Sequence, residues 1–277
     1  MKKKVILNKI VCYSCLLIVL VVALFPVYWM LNTALKTNAE IYQSVPTYYP
    51  HNLSLDGFRK LFHETSFLAS MKNSLSVALV VSVLSIFFCM LAAYALTRMQ
   101  VKGGGAFSKA ILYSYLVPRN LTLLPVYMLV AGMGLVGSLK GLMLIYPSFT
   151  IPYTMWMLIA YFKTVPKELE EAALIDGCNR FQVMFKIFYP LALPGIISTF
   201  IFAFTLCWNE YQYSLVMITD STYKTFPVML SDFMIDDVYA WGPLMGGSFL
   251  ACIPVLLLYT LSNTRINGGI TAGAVKM

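Results

Sequence analysis

The sequence has little charge. Only 12% of its 277 residues are charged, about half the share found in soluble domains, while 59% are hydrophobic. A soluble globular domain is therefore excluded, and we expect a chain that lies in a membrane. The net charge of +8 needs no nucleic-acid partner, because a bias of basic residues toward one membrane face and contact with anionic lipid account for it.

Groups that carry catalytic or metal chemistry are also scarce. The two histidines, His51 and His63, have no matching cluster of His, Cys, Asp or Glu at ligand or catalytic spacing. The C-x-x-C at Cys12 and Cys15 lies in an apolar run without a βαβ pattern, so we assign it no redox role. A Gly-x-x-x-x-Gly-Lys-[Ser/Thr] loop is absent from the sequence, so the chain does not hydrolyse ATP by itself in that way. We expect no enzyme, no metal and no bound cofactor.

What the sequence has in abundance is uncharged apolar runs long enough to cross the hydrocarbon layer, which takes about 20 helical residues. They predict an all-α integral membrane protein with six transmembrane helices. The runs are 10–35, 73–97, 120–139, 141–162, 187–209 and 238–264. The first follows a basic N-terminus, as in a signal sequence, but it is too long and no A-x-A site follows it, so it is predicted to be an uncleaved span.

Basic residues predict the orientation, because Lys and Arg are enriched in cytoplasmic loops. A cytoplasmic N-terminus puts thirteen basic residues inside and six outside, so both termini are predicted to be cytoplasmic. The inner set is Lys2, Lys3, Lys4, Lys9, Arg98, Lys102, Lys109, Lys163, Lys167, Arg180, Lys186, Arg265 and Lys276, and the outer set is Lys36, Arg59, Lys60, Lys72, Lys140 and Lys224. The predicted parts are a first helix with its outer loop (1–69), a five-helix core (70–262) and a cytoplasmic tail (263–277).

Residues 163–194 are where the apolar chain becomes densely charged and then apolar again. Pro166 suits a first helical turn, and acidic residues that follow it are favourable at the positive end of a helix. Gly177 is placed to end this helix in a left-handed turn. The acids of the first turn are Glu168, Glu170 and Glu171. One face of the helix, at i, i+3, i+4 and i+7, has mostly small side chains: Leu169, Ala172, Ala173 and Asp176.

A second helix is predicted directly after this turn. Asn179 and Gln182 stand three residues apart, which is the spacing of a capping box. Four apolar residues then share one stripe, with Arg180 projecting elsewhere. They are Phe181, Met184, Phe185 and Phe188. A firm helical element between two spans could bind another subunit, and the alternative is a solvated connecting loop.

The same residues resemble a known family. Glu171-Ala172-Ala173, with Gly177 six positions after Glu171 and then Ile187 and Pro190, resembles the EAA loop in membrane subunits of binding-protein-dependent ABC importers of the carbohydrate class. Other matching segments occur in the family's order over residues 70–276. They are Asn73-Ser74-Leu75, Leu91-Ala92-Ala93-Tyr94-Ala95-Leu96, Ile151-Pro152-Tyr153, Trp208-Asn209-Glu210 and Gly269-Ile270-Thr271-Ala272-Gly273-Ala274-Val275-Lys276.

This resemblance implies a type I ABC importer permease fold in the bacterial cell membrane. It also implies a second permease subunit, two cytoplasmic ATPase copies that hydrolyse ATP with Mg²⁺, and an external solute-binding protein. The loop 163–194, here called the coupling loop, would contact the ATPase. The residues expected to do so are Glu168, Glu170, Glu171, Ala172, Ala173, Asp176, Gly177, Arg180 and Phe181.

Two polar places inside the apolar runs are candidates for the solute path. Arg119 follows Pro118 at the start of the third span. A charge near the bilayer centre costs roughly 2.5–3.5 kcal/mol, so Arg119 should face protein or water beside a bent or broken helix. The residues assigned to a path or gate are Arg119, Asn120, Asn209, Glu210, Tyr211 and Tyr213. An interhelical ion pair at Arg119 and an interfacial girdle around Glu210 stay open as alternatives.

For the function, the resemblance implies uptake of a mono- or oligosaccharide by alternating access, with a polyol or glycerol-phosphate solute as an alternative. An ion-coupled secondary carrier would use acids such as Glu210 as ion sites, but carriers of that kind usually have an internal repeat, and we find none in the sequence. A membrane-embedded enzyme would need a cluster of catalytic residues, and the sequence contains none at suitable spacing.

Overall fold

The computed structural model describes residues 2–99, 101–234 and 239–274, with side chains described from residue 8 to residue 262. The described residues are helical, with turns between the helices and no strand among them. The helices are α1 (Lys2–Ala34), α2 (Asn38–Ile41), α3 (Asp56–His63), α4 (Phe67–Arg98), α5 (Gly104–Tyr115), α6 (Arg119–Gly132), α7 (Leu139–Ile145), α8 (Pro147–Phe162), α9 (Glu168–Ile175), α10 (Arg180–Gln182), α11 (Tyr189–Trp208), α12 (Gln212–Met217), α13 (Phe226–Ser231) and α14 (Trp241–Ala274). A π-helix, Val183–Phe188, joins α10 to α11, and two short 3₁₀ turns are Ser221–Tyr223 and Asp232–Met234.

Five stretches of the described residues are long and apolar enough to cross a membrane. They are Asn8–Ala34, Phe67–Arg98, Leu139–Phe162, Arg180–Trp208 and Trp241–Ser262. Each overlaps one of the predicted runs, because a long apolar segment is helical wherever backbone groups must be satisfied within the segment itself.

The predicted third run, 120–139, is different. In its place α5 and α6 are two shorter helices separated by residues 116–118, and α6 ends at Gly132, well before residue 139. Pro118 has no N–H to continue a helix and precedes the first residue of α6, so the expected break is confirmed. Gly134 and Gly137 adopt φ values of 69° and 78°, which form the turn before α7.

The chain divides into two compact units. The first comprises Met1–Leu68 and Met229–Ile253. Glycines at the start of α14 allow close packing in it, as expected from the sequence, because a Cβ on Gly247 would lie 2.4 Å from the side chain of Leu230. The outer loop after α2 is held by Glu40, whose carboxylate accepts from the Thr47 hydroxyl at 2.7 Å and from the His51 backbone N–H at 3.1 Å.

The second unit comprises Ala69–Val228 and Pro254–Met277. Its core joins the second half of α4, α8, the π-helix and α11. The buried residues of this core are Ile86, Cys89, Ala93, Tyr94, Met155, Leu158, Phe162, Val165, Met184, Phe188, Tyr189, Ala192 and Ile196. The rings of Phe162 and Phe188 meet edge to face with centroids 4.8 Å apart, so part of the coupling loop belongs to the core.

The C-terminal tail was predicted as a separate part, residues 263–277. The backbone of α14 continues to Ala274, so most of that tail is helical. The last segment of the family resemblance ends in Val275 and Lys276, which lie outside the described residues.

Candidate functional site

The coupling loop has the predicted helix, break and capped second helix. Gly177 lies at φ 85°, in the left-handed region, directly after α9 and Asp176. The Asn179 side chain accepts from the Gln182 N–H at 2.9 Å, and the Gln182 side chain accepts from the Asn179 N–H at 2.9 Å. This reciprocal pair is a capping box that fixes the start of α10.

The fold buries only one member of the face of mostly small side chains that the sequence predicts for α9. Glu170 and Ala173 are the buried residues of this helix, whereas Leu169, Ala172 and Asp176 are exposed. The reason is electrostatic: a basic partner lies beneath the helix, and it selects the face that carries Glu170 over the more apolar face.

That partner is Arg98, the last residue of α4. Its Nε lies 2.9 Å from Glu170 Oε1, and both side chains are almost fully buried. The guanidinium also donates to the carbonyl oxygens of Phe162 and Val165, at 2.8 and 2.6 Å. The Tyr94 hydroxyl donates to Glu170 Oε2 at 3.0 Å, so one buried network joins α4, the end of α8 and α9.

The structure therefore differs from the expectation for Glu170. We expected its carboxylate to contact another subunit, but both oxygens face partners within the chain. Arg98 entered the sequence analysis only as an inner positive charge. The signal that could have identified it is its position at the end of an apolar run, because a basic residue there needs an acceptor or a path to water.

The outward surface of the coupling loop combines acids with apolar side chains. Glu168, Glu171 and Asp176 are exposed. Ile175 is 86% exposed and Phe181 73% exposed, one on each side of the Gly177 turn. The predicted stripe after the turn divides, since Met184 and Phe188 are buried while Phe181 and Phe185 are exposed. The π-helix explains this division, because its i to i+5 bonding changes the register that an α-helical stripe assumes.

A second group of polar residues surrounds the break between α5 and α6. Two cavities, of about 240 and 310 Å³, lie here, and Arg119 lines both. The first is also lined by Ser114, Tyr115, Val117, Thr122, Val126, Ser148, Phe149 and Tyr213, and the second by Phe202, Thr205, Leu206, Asn209, Glu210, Tyr211 and Gln212. The fold thus brings together candidates from distant parts of the chain: Arg119 with Asn209, Glu210, Tyr211 and Tyr213.

Two aromatic rings form a wall of the first cavity. Phe149 and Tyr213 stack with centroids 6.0 Å apart at 19°, and the Arg119 guanidinium lies 4.4 Å from the Phe149 ring centroid. The Tyr213 hydroxyl is 2.8 Å from the Thr122 hydroxyl, which fixes its position. Phe149 and Thr122 were missed from the sequence because apolar and hydroxyl residues within a span carry no distinctive pattern.

Glu210 is buried and fully hydrogen-bonded. Its Oε1 accepts from the Tyr213 N–H at 2.9 Å, and its Oε2 accepts from the Tyr146 hydroxyl at 2.9 Å and the Ser214 N–H at 3.1 Å. The carboxylate therefore satisfies N–H groups at the start of α12 and holds α7 to α12. This arrangement is an internal anchor, which neither predicted reading of Glu210 included.

Of the three other candidates, two line a cavity and one lies on the surface. Asn209 and Tyr211 line the second cavity, as expected for residues beside a solute path. Asn120 is exposed and lines neither cavity, because the first turn of α6 turns it away from Arg119.

Apolar helices of membrane-spanning length, a helical loop with an exposed apolar and acidic surface, and polar cavities at a broken helix together define a multi-pass membrane permease. The sequence matches the family described as binding-protein-dependent transport system inner membrane component over residues 15–268. The chain belongs to this family, and it is a multi-pass inner-membrane protein.

Individual relatives agree with this assignment. The chain is 34% identical over 272 residues to the inner membrane ABC transporter permease protein YcjP of Escherichia coli, with 98% of this chain and 97% of that protein covered. It is 34% identical over 252 residues to the diacetylchitobiose uptake system permease protein DasC of Streptomyces coelicolor, with 91% of each covered. A chain in the crystal structure of a bacterial ABC transporter involved in the import of the acidic polysaccharide alginate has a similar fold, with a TM-score of 0.77 at 20% identity, covering 93% of this chain and 96% of that chain.

Proposed function

We propose that this chain is one permease subunit of an ATP-driven importer that takes up a saccharide by alternating access. It would pair with a second permease subunit, two copies of a cytoplasmic ATPase and an external solute-binding protein. ATP and Mg²⁺ would be bound and hydrolysed by the ATPase copies. Both termini and the coupling loop would be cytoplasmic.

The broken helix supports a sixth crossing. At 1.5 Å per residue, α5 is about 18 Å long and α6 about 21 Å, so together they are long enough for a hydrocarbon layer of about 30 Å. Irregular backbone at membrane depth is tolerated where it lines a cavity, and residues of the break line the first one. The third span would thus be α5 and α6 with their break.

The observation that carries the proposal is the exposed surface of the coupling loop. Ile175 and Phe181 are large apolar side chains that stay exposed on the coupling loop, beside the exposed acids Glu171 and Asp176. An apolar centre with a charged rim is the usual anatomy of a protein interface. Such a surface fits a groove on a soluble subunit better than it fits lipid.

The buried network explains how force on this surface would reach the spans. Glu170 faces inward from α9 onto Arg98, and Arg98 is bonded to carbonyls at the end of α8. Phe188 packs against Phe162 from the other side of the loop. When ATPase closure moves α9, α4 and α8 would follow as one body.

The solute class is supported by the cavities and by the relatives. Aromatic rings at Phe149, Tyr213 and Tyr211, with amides at Asn209 and Gln212, offer stacking faces and hydrogen bonds that suit a hydroxyl-rich solute. One relative is named for diacetylchitobiose uptake, and the similar crystal structure is of an alginate importer. A saccharide is the class of solute these findings share.

The test compares coupling variants in the whole transporter reconstituted in proteoliposomes with its binding protein. Glu171→Lys reverses an exposed charge, and Gly177→Asp places a side chain at φ 85°, which costs roughly 1–2 kcal/mol. Both variants should insert and assemble, yet ATP-driven uptake should fall about tenfold or more because hydrolysis no longer moves the spans.

Matched controls are Glu64→Lys, an exposed acid outside the coupling loop, and Gly132→Asp, an exposed glycine without positive φ. Both should keep normal uptake. Normal uptake in the two coupling variants would remove the assignment. Uptake that stops when the ion gradient is dissipated while ATP remains would instead establish an ion-coupled carrier.

A further inference from the structure

Arg119 has an unusual position among the charged residues of the described chain. It is the first residue of α6, next to the break at Pro118, and it lines both polar cavities. Each cavity is near the lower end of the roughly 300–1,000 Å³ typical of ligand pockets. Arg119 is therefore a cation that two solute-sized spaces share.

The guanidinium lacks a polar partner in the part of the chain that the structure describes. Its contact is the face of Phe149, at 4.4 Å from the ring centroid, and it takes part in neither of the two carboxylate pairs found there, Arg98–Glu170 and His51–Glu40. Stacking on a ring fixes the plane of a guanidinium and leaves its N–H groups at the edge free to donate.

The acid that shares a cavity with Arg119 does not neutralise it by direct contact. Glu210 lines the second cavity and attracts Arg119 electrostatically, but its oxygens are hydrogen-bonded to Tyr213, Ser214 and Tyr146, and it forms no ion pair with the guanidinium. The backbone N–H groups and the tyrosine hydroxyl thus already satisfy this carboxylate. The guanidinium is left as the cation that a bound solute can reach.

We propose that Arg119 is a specificity-determining residue that binds an anionic group, a carboxylate or a phosphate ester, on a saccharide solute held between the two cavities. This inference rests on the proposed transport function and narrows its substrate class. The planar fork of arginine binds both groups with two parallel hydrogen bonds, and exclusion of water strengthens such bonds. The ring of Tyr213 and the amides of Asn209 and Gln212 lie where they can hold the rest of the sugar.

The test measures binding of defined probes to the assembled transporter in phosphatidylcholine nanodiscs without the binding protein, so that delivery does not select the solute. The probes are digalacturonate, glucose 6-phosphate and neutral galactobiose, and the readout is the Kd from calorimetry. The two anionic probes distinguish the carboxylate from the phosphate source. We expect at least one of them to bind about tenfold or more tighter than galactobiose.

Three variants isolate the guanidinium. Arg119→Gln should reduce the preference for the anionic probe to less than about twofold, whereas Arg119→Lys should keep part of it because a point charge remains. Lys140→Gln removes an exposed cation that lines neither cavity and should leave the preference unchanged.

A measurement on the unmodified transporter keeps the test valid if Arg119→Gln fails to assemble. The Kd of the anionic probe should rise steeply between about 50 and about 500 mM salt, while that of galactobiose should not. Any of three results would overturn the inference. They are equal affinity of the unmodified transporter for charged and neutral probes, no binding of any probe at millimolar concentration, and an unchanged preference for the anionic probe in Arg119→Gln. If the coupling variants Glu171→Lys and Gly177→Asp still lose ATP-driven uptake alongside such a result, the transport function stands and only the role of Arg119 is overturned.

Anionic lipid is the remaining source of a phosphate group. Repeating the titration in nanodiscs with phosphatidylglycerol tests it directly. If the lipid headgroup is the occupant, phosphatidylglycerol abolishes the preference for the anionic probes that is seen in phosphatidylcholine, which overturns the solute assignment, whereas an unchanged preference supports it.

Discussion

At the scale of single residues, the ion pair between Arg98 and Glu170 carries the most consequence. Removing one partner of a buried pair leaves an uncompensated charge and typically costs about 3–5 kcal/mol. Glu170→Gln should therefore lower the melting temperature of the purified transporter and disconnect ATP hydrolysis from uptake. Fluorescence-detected thermal unfolding and a coupled uptake assay measure the two effects.

The adjacent acid provides the control for that experiment. Glu171 is exposed, so Glu171→Gln should change the melting temperature little. The double variant Arg98→Met with Glu170→Met, which removes both charges, should recover much of the stability lost in either single variant. Equal melting temperatures for Glu170→Gln and Glu171→Gln would contradict the assigned burial.

Glu40 anchors the loop of residues 42–53 in the first unit, and the protonation of its carboxylate makes the stability of this loop depend on pH. The hydrogen bond from the Thr47 hydroxyl, with smaller contributions from the backbone and ring of His51, lowers the pKa of the Glu40 carboxyl from 4.5 to about 2, against the opposing effect of burial. Because the folded pKa is depressed, this contribution to stability is complete above the unfolded pKa of about 4.5 and is lost as the pH falls through about 2.

We therefore predict that residues 42–53 lose protection against hydrogen exchange between about pH 4.5 and pH 2, after correction for the intrinsic exchange rate. Glu40→Gln should show low protection already at neutral pH, with little further change on acidification. Glu64→Gln, at an exposed acid in the same unit, is the control. A loop in Glu40→Gln with wild-type protection at pH 7 would refute the anchor.

At the scale of elements, the contact between α8 and α11 depends on one glycine. A Cβ on Gly195 would lie 2.2 Å from Cγ of Tyr161, closer than any real contact. Gly195→Ala should therefore destabilise the subunit by about 1–3 kcal/mol, as overpacking does, and Tyr161→Ala should partly rescue it in the double variant. Gly105→Ala, where a Cβ meets open space, should be neutral in the same thermal unfolding assay.

In the α5–α6 region, local sequence and tertiary packing determine different features of the helices. Pro118 favours the break because it has no N–H to continue a helix, although Pro125 lies inside α6 without interrupting it. The apolar run itself continues to residue 139, whereas α6 ends at Gly132. The next helix, α7, packs closely against the turn before it, because a Cβ on Gly141 would lie 2.5 Å from the Leu135 carbonyl oxygen.

At the scale of the whole molecule, the distribution of Lys and Arg predicts the orientation in the membrane. Alkaline phosphatase inserted after Gly137 should be active, because that turn is expected outside, and green fluorescent protein inserted after Phe181 should fluoresce, because the coupling loop is expected inside. A second fluorescent fusion at the C-terminus should also fluoresce. Reversed signals at Gly137 and Phe181 would place the coupling loop outside and rule out the proposed contact with an ATPase.

Much of the fold follows from the sequence for reasons that act along the chain. Five of the six predicted runs overlap helices of spanning length, since a long apolar segment has one way to satisfy its backbone in lipid. The Asn179–Gln182 cap and the Gly177 turn were also predicted, because capping and positive φ depend on residues a few positions apart. The site residues Arg119, Glu210 and Tyr213 were found because a polar group in an apolar run is conspicuous.

The contacts that give those residues their roles depend on what lies opposite them, and only the tertiary structure decided that. Glu170 faces inward because Arg98, 72 positions earlier, ends a neighbouring helix beneath it. Glu210 is an anchor because Tyr146 and the start of α12 surround it, and its oxygens are hydrogen-bonded there rather than paired with Arg119. Hydrophobicity and turn chemistry are properties of local sequence and determined the helices, whereas the partner of a buried charge is a property of packing.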